Sequence, residues 1–171
     1  MKVLQRTPEK LVFGLGVREK TLLDKLLGFY PIRPDLRPVL SRQTPGGRLA
    51  EAEALLLESL RDRQKELIGW IHERLVDGNA LHRTGSGWRL TLRMDEIESF
   101  LQVFNELRVG AWQHLGSPDD LDDPALAGSS SQASYHAIMT VAGQFEMVVL
   151  LGLEAPAAPE APAEPQPPTA G

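Results

Sequence analysis

Apolar residues recur at the spacing of an amphipathic helix in four parts of the chain. These parts are residues 17–29, 48–77, 94–116 and 132–153. In the third part Ile97, Leu101 and Phe104 fall on one face, and Gly116 marks the C-terminal end. The pattern therefore predicts four helices, of which residues 94–116 form the central one.

Short segments with β-strand character lie outside these helices. Lys2–Arg6 and Lys10–Phe13 flank a turn that contains Pro8, and Ala80–Arg83 and Trp88–Leu92 flank a glycine-rich loop. The second hairpin resembles the wing of a winged helix, but one long helix precedes it where a helix–turn–helix would be needed. We therefore expect the two hairpins to join in one small antiparallel sheet.

The combined pattern predicts an α+β, mostly α fold, with a four-helix core and a small antiparallel sheet or hairpins. Residues 1–153 are expected to form a single helical domain with a minor sheet. Residues 154–171 contain mainly Pro, Ala and Glu, and we predict a disordered tail because they cannot bury apolar surface. Residues 30–47 are rich in Pro and Gly, which predicts a loop that apolar side chains hold against the domain.

The composition removes several classes of chemistry. The chain of 171 residues contains no cysteine, which excludes disulfides, thiolate catalysis, iron–sulfur clusters and cysteine zinc sites. The N-terminal residues lack the apolar run of a signal peptide, and no stretch is predicted to reach the length of a membrane span. We therefore expect a cytoplasmic protein with no membrane contact.

Charge is distributed unevenly along the chain. Residues 1–93 contain 17 Lys or Arg and 11 Asp or Glu, whereas residues 94–171 contain 1 and 12. Six arginines of the first half are a candidate contact for nucleic acid or another anion. They are Arg33, Arg37, Arg42, Arg83, Arg89 and Arg93. The alternative is a solvated surface that the acidic half of the chain neutralises.

The central helix carries one basic residue, Arg108, whose helical angle falls inside the apolar face. An unpaired guanidinium is costly to bury, so Arg108 needs a carboxylate or several carbonyls. Glu146 is the one charged residue of the last helix. We predict that Arg108 and Glu146 form a charge-assisted pair between the two helices, with Asn105 at the rim. Such a pair has a structural and a functional interpretation.

No arrangement of residues in the sequence points to catalysis, a cofactor or a metal. Ser86 lacks the G-x-S-x-G frame of a nucleophile elbow, and no two histidines have the spacing of a helical metal site. The aspartates in residues 119–123 lack the glycine and closing glutamate of a calcium loop. The other carboxylates of the central helix are predicted to lie on or near its solvent-facing side: Glu96, Glu98 and Glu106. We therefore expect no enzyme.

The central helix also carries the feature F-x-x-x-x-N-x-L-R, formed by Phe100, Asn105, Leu107 and Arg108. The helix closes with His114, Leu115 and Gly116, an acidic loop follows, and the last helix carries Tyr135, Gln144 and Glu146. Together these features resemble a bacterial family described as a domain of unknown function. That family is common in actinobacteria and is often encoded beside the Clp protease adaptor. The resemblance covers about residues 1–153 and implies a mainly helical domain with a minor sheet. It also implies regulation, because some members are described as transcriptional regulators.

Two functional hypotheses follow from the sequence. The first is a non-catalytic cytoplasmic regulatory or adaptor protein that acts by protein–protein interaction. The second is a nucleic-acid-binding transcriptional regulator that uses a basic face in residues 33–93. The long helix of residues 48–77 exceeds what a compact domain of this size needs. We therefore also expect it to protrude or to pair with a second subunit in a homodimer.

Overall fold

The computed structural model describes residues 1–32, 48–78, 80–119 and 130–157. The helices in this part of the chain are α1 (Val17–Phe29), α2 (Arg48–Trp70), α3 (Ile97–His114) and α4 (Ser130–Glu154). The strands are β1 (Lys2–Arg6), β2 (Lys10–Leu15), β3 (Leu81–Thr84) and β4 (Gly87–Arg93). The predicted α+β, mostly α class is therefore confirmed. Most of the predicted loop 30–47, namely residues 33–47, and most of the predicted tail 154–171, namely residues 158–171, lie outside the described residues.

Two helix ends depart from regular α-helical geometry. After α2 the chain continues as a π-helical turn, Ile71–Val76, at whose end the Asp77 N–H donates to the His72 carbonyl at 2.9 Å. Before α3 the chain forms a 3-10 turn, Met94–Glu96, where the sequence pattern predicts α-helix. Both turns position charged side chains that are described below.

The two hairpins join in one antiparallel sheet with the strand order β1-β2-β4-β3. The β2–β4 pairing runs from Lys10 opposite Arg93 to Leu15 opposite Trp88. Because successive side chains alternate between faces, one face of the sheet carries most of the apolar residues. Those with no exposed surface are Leu11, Phe13, Leu90 and Leu92. The expected joint sheet is thus confirmed, with one face against the helices.

The helical core is built on α3 and α4, which run antiparallel to each other. Near the end of α3 the His114 ring stacks on Tyr135, near the start of α4, with ring centroids 4.5 Å apart. Further along, Phe104 lies 4.4 Å from Phe100 and 5.4 Å from Phe145, measured between ring centroids. These phenylalanines are almost completely buried. Their burial makes the α3–α4 interface a main source of stability.

Glycines allow two close approaches to this helix pair. A Cβ at Gly110 in α3 would lie 2.9 Å from Cγ2 of Ile32, and one at Gly152 in α4 would lie 3.2 Å from Cε1 of Phe13. Optimal carbon–carbon contacts are about 3.5–4.0 Å. The chain after α1 and the inner face of the sheet can therefore pack this closely only against glycine.

The two halves of α2 differ in packing. Towards its C-terminal end Leu67 is buried, as are Ile71 and Leu75 in the turn that follows. Over residues 50–62 every described side chain is exposed or half-buried, and Leu55 and Leu60 expose 67% and 51% of their surface. Within the described part of the chain, the first half of α2 therefore extends beyond the core, as its length predicts.

Replacing Gly110 with alanine tests the close approach of Ile32 to α3. The added methyl group must displace Ile32, so we expect Gly110→Ala to lower the free energy of unfolding by about 1–3 kcal/mol. Urea unfolding followed by circular dichroism measures the change. The control is Gly28→Ala, because nothing lies within 4 Å of a Cβ at that position. Alanine there should raise stability by about 0.5–1 kcal/mol, and equal effects in both variants would contradict the close approach.

Candidate functional site

Arg108 and Glu146 meet across the α3–α4 interface. Nη1 of Arg108 lies 3.3 Å from Oε2 of Glu146, and Nη2 donates a hydrogen bond to Oδ1 of Asn105 at 3.3 Å. The arginine stem lies beside Gly143, where a Cβ would be 3.8 Å from Cδ of Arg108. The contact predicted from the sequence is therefore present, and Asn105 takes part in it.

The two members of this pair differ in burial. The Glu146 side chain is 11% exposed, whereas that of Arg108 is 48% exposed. The prediction that Arg108 is buried in the apolar face is wrong, because α3 borders a groove here and the long side chain reaches water. Burial raises the pKa of Glu146, and the positive charge of Arg108 opposes this only in part. Glu146 is thus a carboxylate in apolar surroundings that has one cationic neighbour.

A groove of about 750 Å³ runs between α3 and α4, with the ion pair as part of its lining. We call it the α3–α4 groove. Apolar side chains of the lining are Met94, Ile97, Leu101, Leu150 and Leu153. Polar side chains of the lining are Glu98, Gln102, Asn105, Arg108 and Glu146. Apolar walls with a few placed polar groups are typical of binding sites.

A chain of hydrogen bonds connects the groove to α1 and α2. Nε2 of Gln102 donates to Oε1 of Glu106 at 3.1 Å, and the Tyr30 hydroxyl donates to Oε2 of Glu106 at 2.7 Å. Nε of Arg63 donates to Oε1 of Gln102 at 3.0 Å. Burial and the hydrogen bond to Glu106 raise the pKa of Tyr30 far above its usual range, so its hydroxyl stays protonated. Glu106, predicted to lie on or near the solvent-facing side of α3, is half-buried and links α3 to Tyr30, the residue that follows α1.

Sequence reasoning missed the most deeply buried carboxylate of the described residues, Glu96, which is 3% exposed. Arg74 donates to both of its oxygens, from Nη2 at 3.2 Å and from Nε, and the backbone N–H of Arg93 donates at 2.9 Å. Burial alone would raise the pKa of Glu96, but these hydrogen bonds and charges outweigh burial and hold the pKa below its usual range. The prediction that Glu96 faces solvent is wrong because the 3-10 turn folds its side chain back onto the chain. A glutamate three residues after the capping position is the available signal.

The three predicted basic residues that lie in the described part of the chain do not share one face of the sheet. Among the described residues, Arg89 and Arg93 lie on the same face of β4, whereas the register places Arg83 on the opposite face. Arg93 is partly neutralised by Asp95 at 3.2 Å and by Glu96 at 3.4 Å. The other three predicted residues lie outside the described part of the chain: Arg33, Arg37 and Arg42.

The prediction that no stretch reaches the length of a membrane span is wrong for the fourth helix. By length and composition α4 is apolar enough to cross a membrane, the one such helix among the described residues. Core helices pass the same test, and α4 has buried side chains that pack in the core. They are Ile138, Met139, Ala142, Phe145 and Val149.

No family model, curated protein or solved structure matches the chain. The family resemblance stated above therefore stays a prediction, and the site is interpreted from its own geometry. Within the described residues, no three His, Asp or Glu side chains are grouped so that they could hold a metal ion. Three of the aspartates considered as a calcium loop lie outside that part of the chain: Asp120, Asp122 and Asp123.

Replacing Arg74 with methionine tests the buried pair. Methionine leaves Glu96 without its main cation, so the free energy of unfolding at neutral pH should fall by about 3 kcal/mol or more in urea titrations. Because the pKa of Glu96 is lowered on folding, its contribution is present above its unfolded pKa, near 4.5, and is lost as pH falls through the folded value. The difference from wild type should therefore shrink in acid. The control is Arg18→Met at an exposed position of α1, which should change the free energy of unfolding by less than about 0.5 kcal/mol. An effect of Arg74→Met as small as that of the control would contradict a buried pair.

Replacing Glu146 with glutamine tests whether burial or Arg108 controls that carboxylate. A carboxyl whose pKa is raised on folding contributes its full stability below its unfolded pKa, near 4.5, and loses it as pH rises through the folded value. Glutamine stays neutral, so the stability of Glu146→Gln relative to wild type should rise from about pH 4 to about pH 7. Urea unfolding at several pH values measures this trend. An opposite trend would show that Arg108 outweighs burial.

Proposed function

We propose that this protein is a non-catalytic cytoplasmic regulatory or adaptor protein that acts by binding another protein. The observation that carries the proposal is the α3–α4 groove, whose lining combines five apolar side chains with polar ones that include an ion pair. Its lining includes neither a serine nor a histidine, the usual partners in nucleophilic catalysis. The groove is therefore better suited to recognition than to a reaction.

An amphipathic helix of the partner fits this groove. The lining positions on the 3-10 turn and α3 extend from Met94 to Arg108, a rise of roughly 20 Å along the helix axis. A partner helix of about four turns covers that length. Helices that bind in grooves contribute apolar residues at positions i, i+3 or i+4, and i+7. Leu101 and the more exposed Leu150 provide the surface for such a stripe.

Arg108 determines the charge that we expect on the partner. A guanidinium has five N–H donors, and the described partners of Arg108 are one oxygen each of Glu146 and Asn105. Nearly half of the Arg108 side chain is exposed. An Asp or Glu on the partner helix can therefore reach the guanidinium and form a charge-assisted hydrogen bond.

Two further features of the proposal rest on α2 and on the family resemblance. Leu55 and Leu60 of α2 are exposed and apolar, which favours contact with a second subunit, so a homodimer is part of the proposal. The resemblance to the bacterial family supports a regulatory role. Light scattering after size-exclusion chromatography measures the subunit number.

A displayed library of random peptides of about 15 residues tests the groove. We expect the peptides selected against the wild-type protein to carry an apolar stripe at helical spacing and an acidic residue. Leu150→Asp places a charge in the groove and should weaken their binding at least tenfold, or about 1.4 kcal/mol. Fluorescence anisotropy with a labelled selected peptide measures the loss.

Leu151→Asp is the matched control for this experiment. It is the same substitution at a neighbouring leucine that is 53% exposed, against 45% for Leu150, and that does not line the groove. Its peptide affinity should equal that of the wild type. Selected peptides that bind Leu150→Asp as tightly as the wild type would contradict the proposal.

A further inference from the structure

We propose that the exposed face of the β-sheet binds the phosphate backbone of a nucleic acid. Basic side chains on this face are all exposed, and we call the surface they form the basic sheet face. They are Lys2, Lys10, His82, Arg89 and Arg93. Three of them were not among the basic residues predicted from the sequence. The surface is separate from the α3–α4 groove.

The strand register places these side chains on one surface. Lys10 lies opposite Arg93, and His82 lies opposite Arg89. Lys2 on β1 is level with Arg89, two strands away. Directly opposed residues share a face. These basic side chains therefore cover an area roughly 15 Å across the strands and roughly 13 Å along β4.

The charge on this face is not balanced locally. None of the four strands contains an acidic residue, although the whole chain carries a net charge of −5. Opposed like charges such as Lys10 and Arg93 destabilise a strand pair. Within the described residues, Arg93 pairs with Asp95 at 3.2 Å and with Glu96 at 3.4 Å, but no carboxylate forms an ion pair with Lys2, Lys10, His82 or Arg89. A polyanion would relieve this repulsion.

A hollow of about 510 Å³ lies at one end of the basic sheet face. Lys2 and Arg89 line it, and Gly87 adds lining without a side chain. Glu19 also lines the hollow, but its oxygens are already engaged. Oε2 accepts the Gly16 N–H at 2.7 Å, and Oε1 contacts the N-terminal ammonium group. A phosphate group in this hollow would therefore have two cationic side chains within its walls.

The side chains of this face favour phosphate contacts over a protein partner or stacked bases. On the four strands, all of which lie in the described residues, Leu4 is the one large apolar side chain that is exposed, at 47%. Protein interfaces usually depend on buried aromatic or apolar anchors. Trp88 belongs to the other face, where Nζ of Lys20 lies 4.6 Å from its ring centroid. Trp88 also lines the hollow described above, but it is half-buried and Lys20 covers its ring. Phosphate contacts should therefore outweigh base stacking, and binding should depend little on sequence.

Salt-dependent binding of labelled oligonucleotides tests the proposal. We expect the full chain to bind oligothymidylate of about 20 nucleotides and a duplex of the same length at about 25 mM salt. With about four phosphate contacts, the slope of log K against log salt for the single strand should be about −3. Lys10→Glu/Arg89→Glu should weaken binding on the order of tenfold or more and roughly halve the slope. Lys10→Gln/Arg89→Gln, a milder change, should weaken binding in the same direction.

The matched control is Arg18→Glu/Lys25→Glu, an equal charge change at exposed positions of α1, on the other side of the sheet. It should retain most of the wild-type affinity, as should Leu150→Asp in the groove. Absence of binding to both oligonucleotides at low salt would overturn the proposal. An equal loss in the α1 control would also overturn it, because net charge alone would then explain binding. Preferential binding of polyglutamate would overturn it in favour of an acidic protein.

Discussion

The packing of α3 against α4 is the constraint on which the rest of the structure depends. Phe104 contacts aromatic rings of both helices, and the glycines at positions 110 and 152 let neighbouring segments approach the pair closely. Apolar burial of this kind is the dominant favourable term in folding. The antiparallel alignment also decides which polar residues meet, because it brings Arg108 on α3 to Glu146 on α4.

The pKa values of the two buried carboxylates in this core are shifted in opposite directions. Glu96 receives hydrogen bonds from Arg74 and from a backbone N–H, so its pKa is lowered despite burial. Glu146 has one half-exposed cation, and burial raises its pKa. Glu96 therefore stabilises the junction between the π-helical turn and α3. Glu146 stands at the edge of a groove with its charge only partly compensated, an arrangement typical of sites that recognise another molecule.

The sequence predicts the elements well because helical and strand periodicity are local, and β1 and α1 have the bounds that the pattern indicates. The contact between Arg108 and Glu146 was also predictable, since Arg108 is the one Lys or Arg of residues 94–116 and Glu146 is the one charged residue of residues 132–153. The exposure of Arg108 could not be predicted from the sequence, because it depends on the groove that α3 and α4 form together. The basic sheet face was missed for the same reason. Lys10 and Arg93 are far apart in the chain and become neighbours only through the β2–β4 register.

Native-state hydrogen exchange measures most directly whether the α3–α4 pair is the stable centre of the molecule. We expect the central amides of α3 and α4 to exchange only through global unfolding. Residues 50–62 of α2 should exchange through local opening, because within the described residues their side chains have little tertiary packing. Protection of residues 50–62 equal to that of α3 would contradict this account.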